Sequence, residues 1–243
     1  DEWKIYPTSV TTTSEKDDTE VYTVIEKWFR EGKYVPYSHE ELMDVILYAK
    51  KHIKEYVRIS RIFRDIPIDN ITGGANVPHM REVLQKMLYK ETGEYCKCIR
   101  CREIKNTDFT NEDIYYSVET YEGSKNDDYF ITANIDKSNC SNCSNNTLVG
   151  FLRLRIKRNK EEAYNFVEEI KDCEALVREL HVYGRMVPTY LKVNNIKSQH
   201  KGVGSSLLKM AENIALKKDS NKIAVISGVG VRGFYRKKGY SLK

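Results

Sequence analysis

Three segments near the C-terminus decide the fold: QHKGVGS at 199–205, KIAVIS at 222–227 and FYRKKGY at 234–240. Between the first two, apolar residues recur with the period of an amphipathic helix. The predicted order is therefore loop, helix, strand and short aromatic helix. Gly202 and Gly204 let the backbone come close to a ligand. Because N–H groups that converge at a helix N-terminus bind anions, the loop is a candidate pyrophosphate site, with an ordinary capped helix as the alternative.

Upstream of these segments, the chain changes character near residues 90 to 105. The first part alternates strand-like and helix-like runs, and Ser38 with Glu41 three residues later is typical of a helix N-cap. The second part contains four runs with the period of strands, namely DIYYSVETYEG, DYFITANI, TLVGFLRLRIKR and ALVRELHVY. These patterns predict an α/β protein with a sheet-rich C-terminal part.

Length and composition exclude several classes of protein. The chain has 243 residues, of which 40% are apolar and 31% charged, so it has the balance of one or two folded domains and not of a disordered chain. No run of about 18 apolar residues is present, and the first residues do not form a signal peptide. Forty Lys and Arg against 35 Asp and Glu give a net charge of +5, which permits a polyanionic partner without requiring one.

The six cysteines are clustered, which favours metal binding over disulfides. Cys96, Cys98 and Cys101 offer three soft ligands within six residues, compact enough to hold one tetrahedral Zn²⁺ with a fourth ligand from elsewhere. Cys140 and Cys143 form a competing pair in Asn- and Ser-rich sequence, where exposed thiols are the favoured interpretation. The sequons at Asn139, Asn142 and Asn145 are read as compositional bias, because reduced thiols indicate an intracellular chain.

Short strings along nearly the whole chain resemble the catalytic subunit of Elongator. They are KIYPT at 4–8, YVPYS at 34–38, RDIP at 64–67, CKCIRCRE at 96–103, VRELHVYG at 177–184, KIAVISGVG at 222–230 and FYRKKGY at 234–240. That family joins a radical-SAM domain to a GNAT acetyltransferase domain and is associated with building a carboxymethyl group on C5 of the wobble uridine, U34, of tRNA. The loop–helix–strand order is likewise similar to the acetyl-CoA-binding half of GNAT enzymes.

The resemblance implies a domain organisation. We expect residues 1–90 to be the C-terminal remnant of a radical-SAM α/β barrel, residues 91–105 a zinc-binding linker, and residues 106–243 a GNAT-type mixed sheet with flanking helices. No cysteine precedes Cys96, so the radical-SAM cluster motif is missing, and S-adenosylmethionine and the 4Fe–4S cluster would belong to a part outside this chain. Since the chain lacks an initial Met, we expect a piece of a longer protein, with a natural short form as the alternative.

The resemblance also implies site residues. Tyr235 would lie near the acetyl-CoA thioester as polariser or proton donor, or Tyr240 would act there instead, because Phe234 stands where many members have the first of two tyrosines. Glu179 is the residue that a lysine acetyltransferase would use as general base, and a structural role is the equal alternative. The cofactor-binding set comprises Gln199, His200, Lys201, Gly202, Val203, Gly204, Ser205, Ser227, Gly228, Phe234 and Tyr235.

For the metal, the resemblance implies Cys96, Cys98, Cys101 and, as fourth ligand, His181, for which a strand-edge histidine and a general base are alternatives. Basic residues near the cysteines and the C-terminus form a candidate tRNA surface, although solvated surface charge or the phosphates of CoA would explain them too. The expected tRNA-binding residues are Arg58, Arg61, Arg64, Arg102, Arg232 and Lys237.

The leading hypothesis is thus an acetyl-CoA-dependent acyltransferase that contributes the acetyl group for 5-carboxymethylation of U34 of tRNA. One alternative is a protein lysine N-acetyltransferase of the GNAT class, and another is a non-catalytic fragment that binds tRNA or assembles with other Elongator subunits. The expected location is the cytoplasm, and also the nucleus, with no membrane association.

Overall fold

A computed structural model describes residues 1–11, 23–62, 66–74, 79–105, 113–136, 146–159, 167–184 and 202–242. The chain divides into two compact units, Asp1–Arg102 and Glu103–Lys243. This division falls inside the segment 91–105 that the sequence predicts as a linker. The larger part of that segment therefore belongs to the first unit.

The first unit contains four helices and two small sheets among its described residues. The helices are α1 (Val24–Arg30), α2 (His39–His52), α3 (Met80–Thr92) and α4 (Ile99–Arg102). Strand β1 (Glu2–Lys4) pairs in parallel with β3 (Arg58–Arg61), and β2 (Val10–Thr11) pairs antiparallel with β4 (Ile71–Gly73).

Helix α2 begins where the sequence predicts, at the capping box of Ser38 and Glu41. The Glu41 N–H donates to Ser38 Oγ at 3.1 Å, and the Ser38 N–H donates back to Glu41 Oε2 at 2.9 Å. The buried face of α2 carries Leu42, Ile46 and Leu47 and, one turn later, Lys50. The first unit therefore has a lysine on the face of a helix that otherwise packs into its core.

The core of the first unit extends into the cysteine segment. Leu84 and Leu88 of α3 and Ile59 of β3 belong to the same buried cluster as Cys96 and Cys98. The Ile99 N–H donates to the Val57 carbonyl at 3.0 Å and so fastens the start of α4 beside β3. The cysteine segment is thus a packed element and not an extended linker.

The second unit is built on a mixed five-stranded sheet in the order β5-β6-β7-β8-β9. Three antiparallel pairings are followed by one parallel pairing, between β8 and β9. A helix, α5, connects these two parallel strands, and a short helix, α6, follows β9. The bounds are β5 (Ile114–Glu122), β6 (Asn126–Asp136), β7 (Asn146–Lys157), β8 (Ala175–Val182), α5 (Val203–Lys217), β9 (Ile223–Val225) and α6 (Arg232–Arg236).

Two element boundaries differ from the sequence prediction. The strand predicted at 222–227 covers only Ile223–Val225, and the helix predicted at 234–240 is α6, which ends at Arg236 before a turn. Helix α5 starts at Val203 because Gly202, with φ of 105°, takes the left-handed conformation that a glycine adopts without strain. Boundaries of this kind depend on backbone angles that apolar periodicity does not report.

The two faces of the sheet differ in chemistry. Successive side chains of a strand point to opposite faces, so Phe130 and Asp128 of β6 share a face with their partners Arg153 and Arg155 of β7. Asp128 is only 2% exposed. It accepts from Arg155 Nε at 2.9 Å and from Arg178 Nη1 at 3.2 Å. A buried carboxylate between two arginines therefore joins β6, β7 and β8.

We expect Asp128→Asn to destabilise the second unit selectively, because it leaves two arginines without their carboxylate. The loss should be somewhat below the roughly 3–5 kcal/mol of a fully buried pair, since both guanidinium groups keep some exposure. Trp3 and Trp28 are the only tryptophans of the sequence and both lie in the first unit. Urea unfolding followed by circular dichroism should shift, while the tryptophan fluorescence transition should not.

The matched control is Asp127→Asn. Asp127 is the neighbour of Asp128 and pairs with Arg158 in a largely exposed ion pair, which should contribute less than about 1 kcal/mol. Equal losses for the two variants would contradict the role given to Asp128.

Candidate cofactor site and cysteine cluster

The start of α5 is one side of the candidate cofactor site. Gly202 is its N-cap, and no side chain among the described residues caps the helix there. The Gly202 carbonyl accepts the first intrahelical bond, from the Ser206 N–H at 2.8 Å. The N–H groups of Val203, Gly204 and Ser205 have no acceptor inside a regular helix. They form the positive end of the helix dipole, as an anion site requires.

Gly204 shows which elements meet at this helix end. A Cβ atom at Gly204 would lie 3.6 Å from Val182 Cγ2 and 3.7 Å from Phe234 Cζ. Val182 is the last residue of β8, and Phe234 is in α6. The predicted loop glycine, the end of β8 and the aromatic helix α6 are therefore neighbours, as a shared cofactor site demands.

The pairing of β8 with its neighbours is unequal along its length. On one side β8 pairs with β7 as far as Val182, whereas on the other side the register with β9 ends at the pair Val177–Val225. The Ile226 N–H makes the last bond, to the Val177 carbonyl at 3.0 Å. In the described part of the chain, the edge of β8 from Glu179 onward thus has no strand beside it. This open edge leads to the start of α5.

The two candidate tyrosines lie against each other at the C-terminal end. Tyr235 is 8% exposed, and its ring meets the Tyr240 ring edge-on at 5.9 Å. Burial raises the pKa of Tyr235. Burial, and then the hydrogen bond that Tyr240 Oη donates to Glu212 Oε1 at 3.0 Å, raises the pKa of Tyr240. Both phenols therefore stay protonated at neutral pH. Tyr240 already donates its hydrogen bond to Glu212, so Tyr235 is the one of the two that can donate a hydrogen bond to a ligand.

A cavity of about 760 Å³ adjoins these tyrosines between α5, β9 and the C-terminal segment. It brings together Ser227, Tyr235 and Tyr240 of the predicted site, and Arg232 of the predicted tRNA surface. The loop residues Gly202 to Ser205, with Gly228 and Phe234, do not line it. The predicted cofactor residues are hence divided between the start of α5 and this cavity.

Glu179 is held by an arginine that the sequence did not suggest. Arg153 Nε donates to Glu179 Oε2 at 3.0 Å, and the Arg153 guanidinium lies over the rings of Phe130 and Phe151 at 5.2 and 5.3 Å. Arg153 is 3% exposed. The predicted general base is therefore one half of an ion pair, which favours the structural alternative for Glu179.

His181 lies on β8 two residues after Glu179. Its ring stacks on Phe151 at 6.1 Å and meets Tyr183 at 4.5 Å. The residue is exposed and belongs to the second unit, whereas the three cysteines belong to the first. Its role as fourth ligand stays a prediction.

The cysteine cluster is the clearest constellation of the first unit. The sulfur atoms of Cys96, Cys98 and Cys101 all lie within 4.8 Å of one another. Cys96 and Cys98 are buried, and the Cys101 N–H donates to the Cys98 carbonyl at 3.0 Å, which turns the third sulfur toward the other two. Three converging soft donors fit a thiophilic metal ion such as Zn²⁺.

Two cations that the sequence analysis missed face the cluster. Lys50 Nζ donates to Cys101 Sγ at 3.6 Å, and Arg81 Nη1 donates to it at 3.8 Å. Hydrogen bonds from Cys96 and Cys98, followed by these two charges, hold the pKa of Cys101 well below its usual range. Hydrogen bonds with Cys101 and Cys98, followed by burial, raise the pKa of Cys96. The sequence does contain a signal for Lys50: its spacing from Ile46 and Leu47 predicts that it lies on the buried face of α2.

Only some of the residues predicted to contact tRNA are exposed. Arg61 and Lys237 are exposed, and Arg58 and Arg232 are half-buried. Arg102, in contrast, is 2% exposed. Its Nε donates to the Lys97 carbonyl at 2.8 Å and its Nη2 to the Glu55 carbonyl at 2.9 Å. Arg102 therefore secures the cysteine segment and is removed from the set of tRNA-facing side chains.

Several predicted positions lie outside the described residues. They are Arg64 of the tRNA set, Gln199, His200 and Lys201 of the cofactor loop, and the competing cysteines Cys140 and Cys143.

The fold and sites define an α/β protein whose second unit has a GNAT-type mixed sheet with flanking helices, as the sequence predicts. The Radical_SAM C-terminal domain family matches residues 1–90. The chain is 40% identical over 245 residues to the tRNA uridine(34) acetyltransferase of Methanocaldococcus jannaschii, an alignment that covers 98% of this chain. It is 34% identical over 242 residues to human Elongator complex protein 3, with 99% of this chain covered.

The solved structures give the same result. The archaeal Methanocaldococcus infernus Elp3 with an N-terminal deletion superposes with a TM-score of 0.77 at 35% identity, covering 100% of this chain and 54% of that one. The resemblance drawn from the sequence is therefore confirmed: the chain is a homologue of the C-terminal part of the Elongator catalytic subunits and tRNA uridine(34) acetyltransferases.

The homology covers a part of those proteins. The chain spans 41% of the Methanocaldococcus jannaschii protein and 41% of the human one. None of the helices in the described ranges is long and apolar enough to cross a membrane.

The raised pKa of Tyr240 predicts a dependence of stability on alkaline pH. The folded protein binds this proton more tightly than the unfolded chain, whose tyrosines have a pKa of about 10. Above that pH the unfolded chain loses the proton first, so the free energy of unfolding falls as pH rises. Tyr240→Phe should make this fall shallower, at a cost of about 1 kcal/mol at neutral pH for the lost hydrogen bond.

Urea unfolding followed by circular dichroism at pH 8 and pH 10.5 measures both effects. Tyr116→Phe, on exposed β5, is the control and should leave the slope between the two pH values unchanged. An equally steep fall in Tyr240→Phe and the parent chain would contradict the environment described for Tyr240.

Proposed function

We propose that this chain carries the acetyl-CoA-binding part of a tRNA-modifying acyltransferase, which contributes the acetyl group for 5-carboxymethylation of U34. The observation that carries the proposal is that, among the described residues, no strand pairs with β8 beyond Val177 on the side of β9 and no side chain caps the start of α5. An extended, amide-bearing ligand can continue the sheet along that edge, and its pyrophosphate can reach the N–H groups of Val203 to Ser205. The names of the homologues supply the substrate class.

The residues then have separate tasks. The start of α5 would bind the pyrophosphate, and the edge of β8 would accept and donate the hydrogen bonds of the pantetheine chain. Tyr235, protonated and buried, would donate a hydrogen bond to the thioester end. Acetyl-CoA would supply the acetyl group when bound. The radical chemistry expected of the family, with S-adenosylmethionine and its 4Fe–4S cluster, would come from a part that this chain does not contain.

The exposed basic residues Arg61 and Lys237, with the half-buried Arg58 and Arg232, would contact the tRNA backbone. Their phosphate contacts would position the tRNA without reading its sequence. We also propose that other Elongator-type subunits are partners, and that the protein works in the cytoplasm and the nucleus.

Acetyl-CoA binding and CoA release by the purified chain test the proposal. Gly204→Val should weaken acetyl-CoA binding at least tenfold, because a branched side chain would enter the space between Val182 and Phe234. Gly233→Ala is the control, since a Cβ atom there meets nothing within 4 Å. Tyr235→Phe should keep binding and lower CoA release about 100- to 1,000-fold.

The presence of tRNA separates the candidate functions. Release of CoA that rises when tRNA is added supports the proposal. Release without tRNA, with acetyl-lysine formed on a protein, would support a lysine acetyltransferase instead. Absence of acetyl-CoA binding would overturn the cofactor assignment.

We further propose that Cys96, Cys98 and Cys101 hold a structural zinc ion, with His181 as the fourth ligand. The convergence of three sulfur atoms in the core supports it. Cys101→Ser should lower the zinc content, measured by atomic emission, from about one equivalent to well below one. Cys173→Ser is the control, because that buried cysteine lies in the second unit. Full zinc content in Cys101→Ser would remove the cluster from the proposal.

A further inference from the structure

Lys50 is the most unusual side chain of the first unit. It is 1% exposed and lies on the face of α2 that otherwise carries leucine, methionine and isoleucine. Lysine is almost never fully buried without a partner, because its ammonium group loses its hydration. Among the described residues, Cys101 Sγ is the one hydrogen-bond partner of Lys50 Nζ. The side chain of Lys50 is therefore directed at the cluster from within the core.

Arg81 also donates a hydrogen bond to Cys101, from a different helix. It projects from the first turn of α3, and its Nη2 donates to the Ile59 carbonyl at 2.8 Å. This bond to β3 fixes the guanidinium so that Nη1 faces Cys101 Sγ at 3.8 Å. Two cations from two helices therefore converge on the same sulfur atom.

The charge of a metal-bound cluster explains why cations lie beside it. Metal-bound cysteines are thiolates, so three of them around one divalent ion leave a net charge of −1 before a neutral fourth ligand is added. In the core of the first unit, that excess charge is unfavourable unless cations lie close to it. Hydrogen bonds to ligand atoms from outside the coordination shell also fix the orientation of those ligands.

We propose that Lys50 and Arg81 are positioning residues of the cysteine cluster, which neutralise the metal thiolates and orient Cys101 so that the first unit retains its metal. This inference rests on the proposed metal site and goes beyond it, because it assigns a role to two residues that are not ligands. Lys50 acts from the core and Arg81 from the surface side, so their contributions can be separated.

Competition for Zn²⁺ with a chromophoric chelator tests the proposal on the purified chain. Lys50→Met keeps the length and the apolar packing of the side chain but removes its charge. It should weaken zinc binding about 10- to 100-fold, the usual effect of losing a partner outside the coordination shell. Lys51→Met is the matched control, since Lys51 is the next residue of α2 and pairs with Glu91 away from the cluster. It should bind zinc like the parent chain.

Replacing zinc with cobalt(II) gives a second measurement, a charge-transfer band whose wavelength does not depend on packing elsewhere in the core. An N–H group bonded to a thiolate withdraws electron density from its sulfur. In Lys50→Met the sulfur-to-cobalt charge-transfer band should therefore move to longer wavelength. In Lys51→Met it should stay in place.

The outcomes separate this inference from the metal proposal. If the parent chain takes up no zinc, the metal proposal fails and this one fails with it. If the parent chain binds zinc and Lys50→Met binds it equally well with an unshifted cobalt band, only the role of Lys50 and Arg81 is overturned. If Lys50→Met does not fold, as tryptophan fluorescence would show, Arg81→Gln decides: weaker zinc binding supports the proposal, and unchanged binding overturns it.

Discussion

The early end of the pairing between β8 and β9 is the constraint on which the second unit depends. Two parallel strands joined by a helix would normally pair along their whole length, but β9 pairs with β8 for only three residues. Beyond Val177 the backbone of β8 keeps its bonds to β7, and no strand of the described residues pairs with its other edge. The start of α5 lies beside the end of β8, because a Cβ atom at Gly204 would come within 3.6 Å of Val182 Cγ2. The surface proposed to bind the cofactor is thus a consequence of strand length.

In the first unit, the corresponding constraint is the burial of the cysteine segment. Arg102 bonds to the carbonyl groups of Lys97 and Glu55, and Ile99 bonds to Val57, so the chain around the cysteines is fixed by its backbone. The three sulfur atoms are consequently held near one another by the fold itself. An ion that binds there meets a site whose geometry is largely set, which lowers the entropic cost of binding.

Local chemistry made part of this structure predictable. Three features each lie within a stretch of at most seven residues: the capping box at Ser38, the glycine loop before α5 and the cysteine spacing. The described part of the structure contains the capping box, the glycines of the loop and the cysteine cluster. The partners of Glu179 and Cys101 were not predictable in the same way. Arg153 meets Glu179 across a strand pair whose register includes an irregularity between Arg153 and Leu154. Lys50 reaches Cys101 from 51 residues away, and only its place among the apolar residues of α2 signalled that it is buried.

Each unit has a charged side chain in its core, a carboxylate in the second unit and a lysine in the first. In both units, the groups that lie beside the charged side chain determine whether its burial is stable. In the second unit a single carboxylate, Asp128, lies between Arg155 and Arg178, and the excess positive charge is relieved because both guanidinium groups reach solvent. In the first unit the cations Lys50 and Arg81 face a group of sulfur atoms that has no route to solvent through Cys96 or Cys98. At the metal site proposed above, Lys50 and Arg81 would supply the countercharge to the thiolates. In the second unit, solvent supplies part of the corresponding balance for the two arginines.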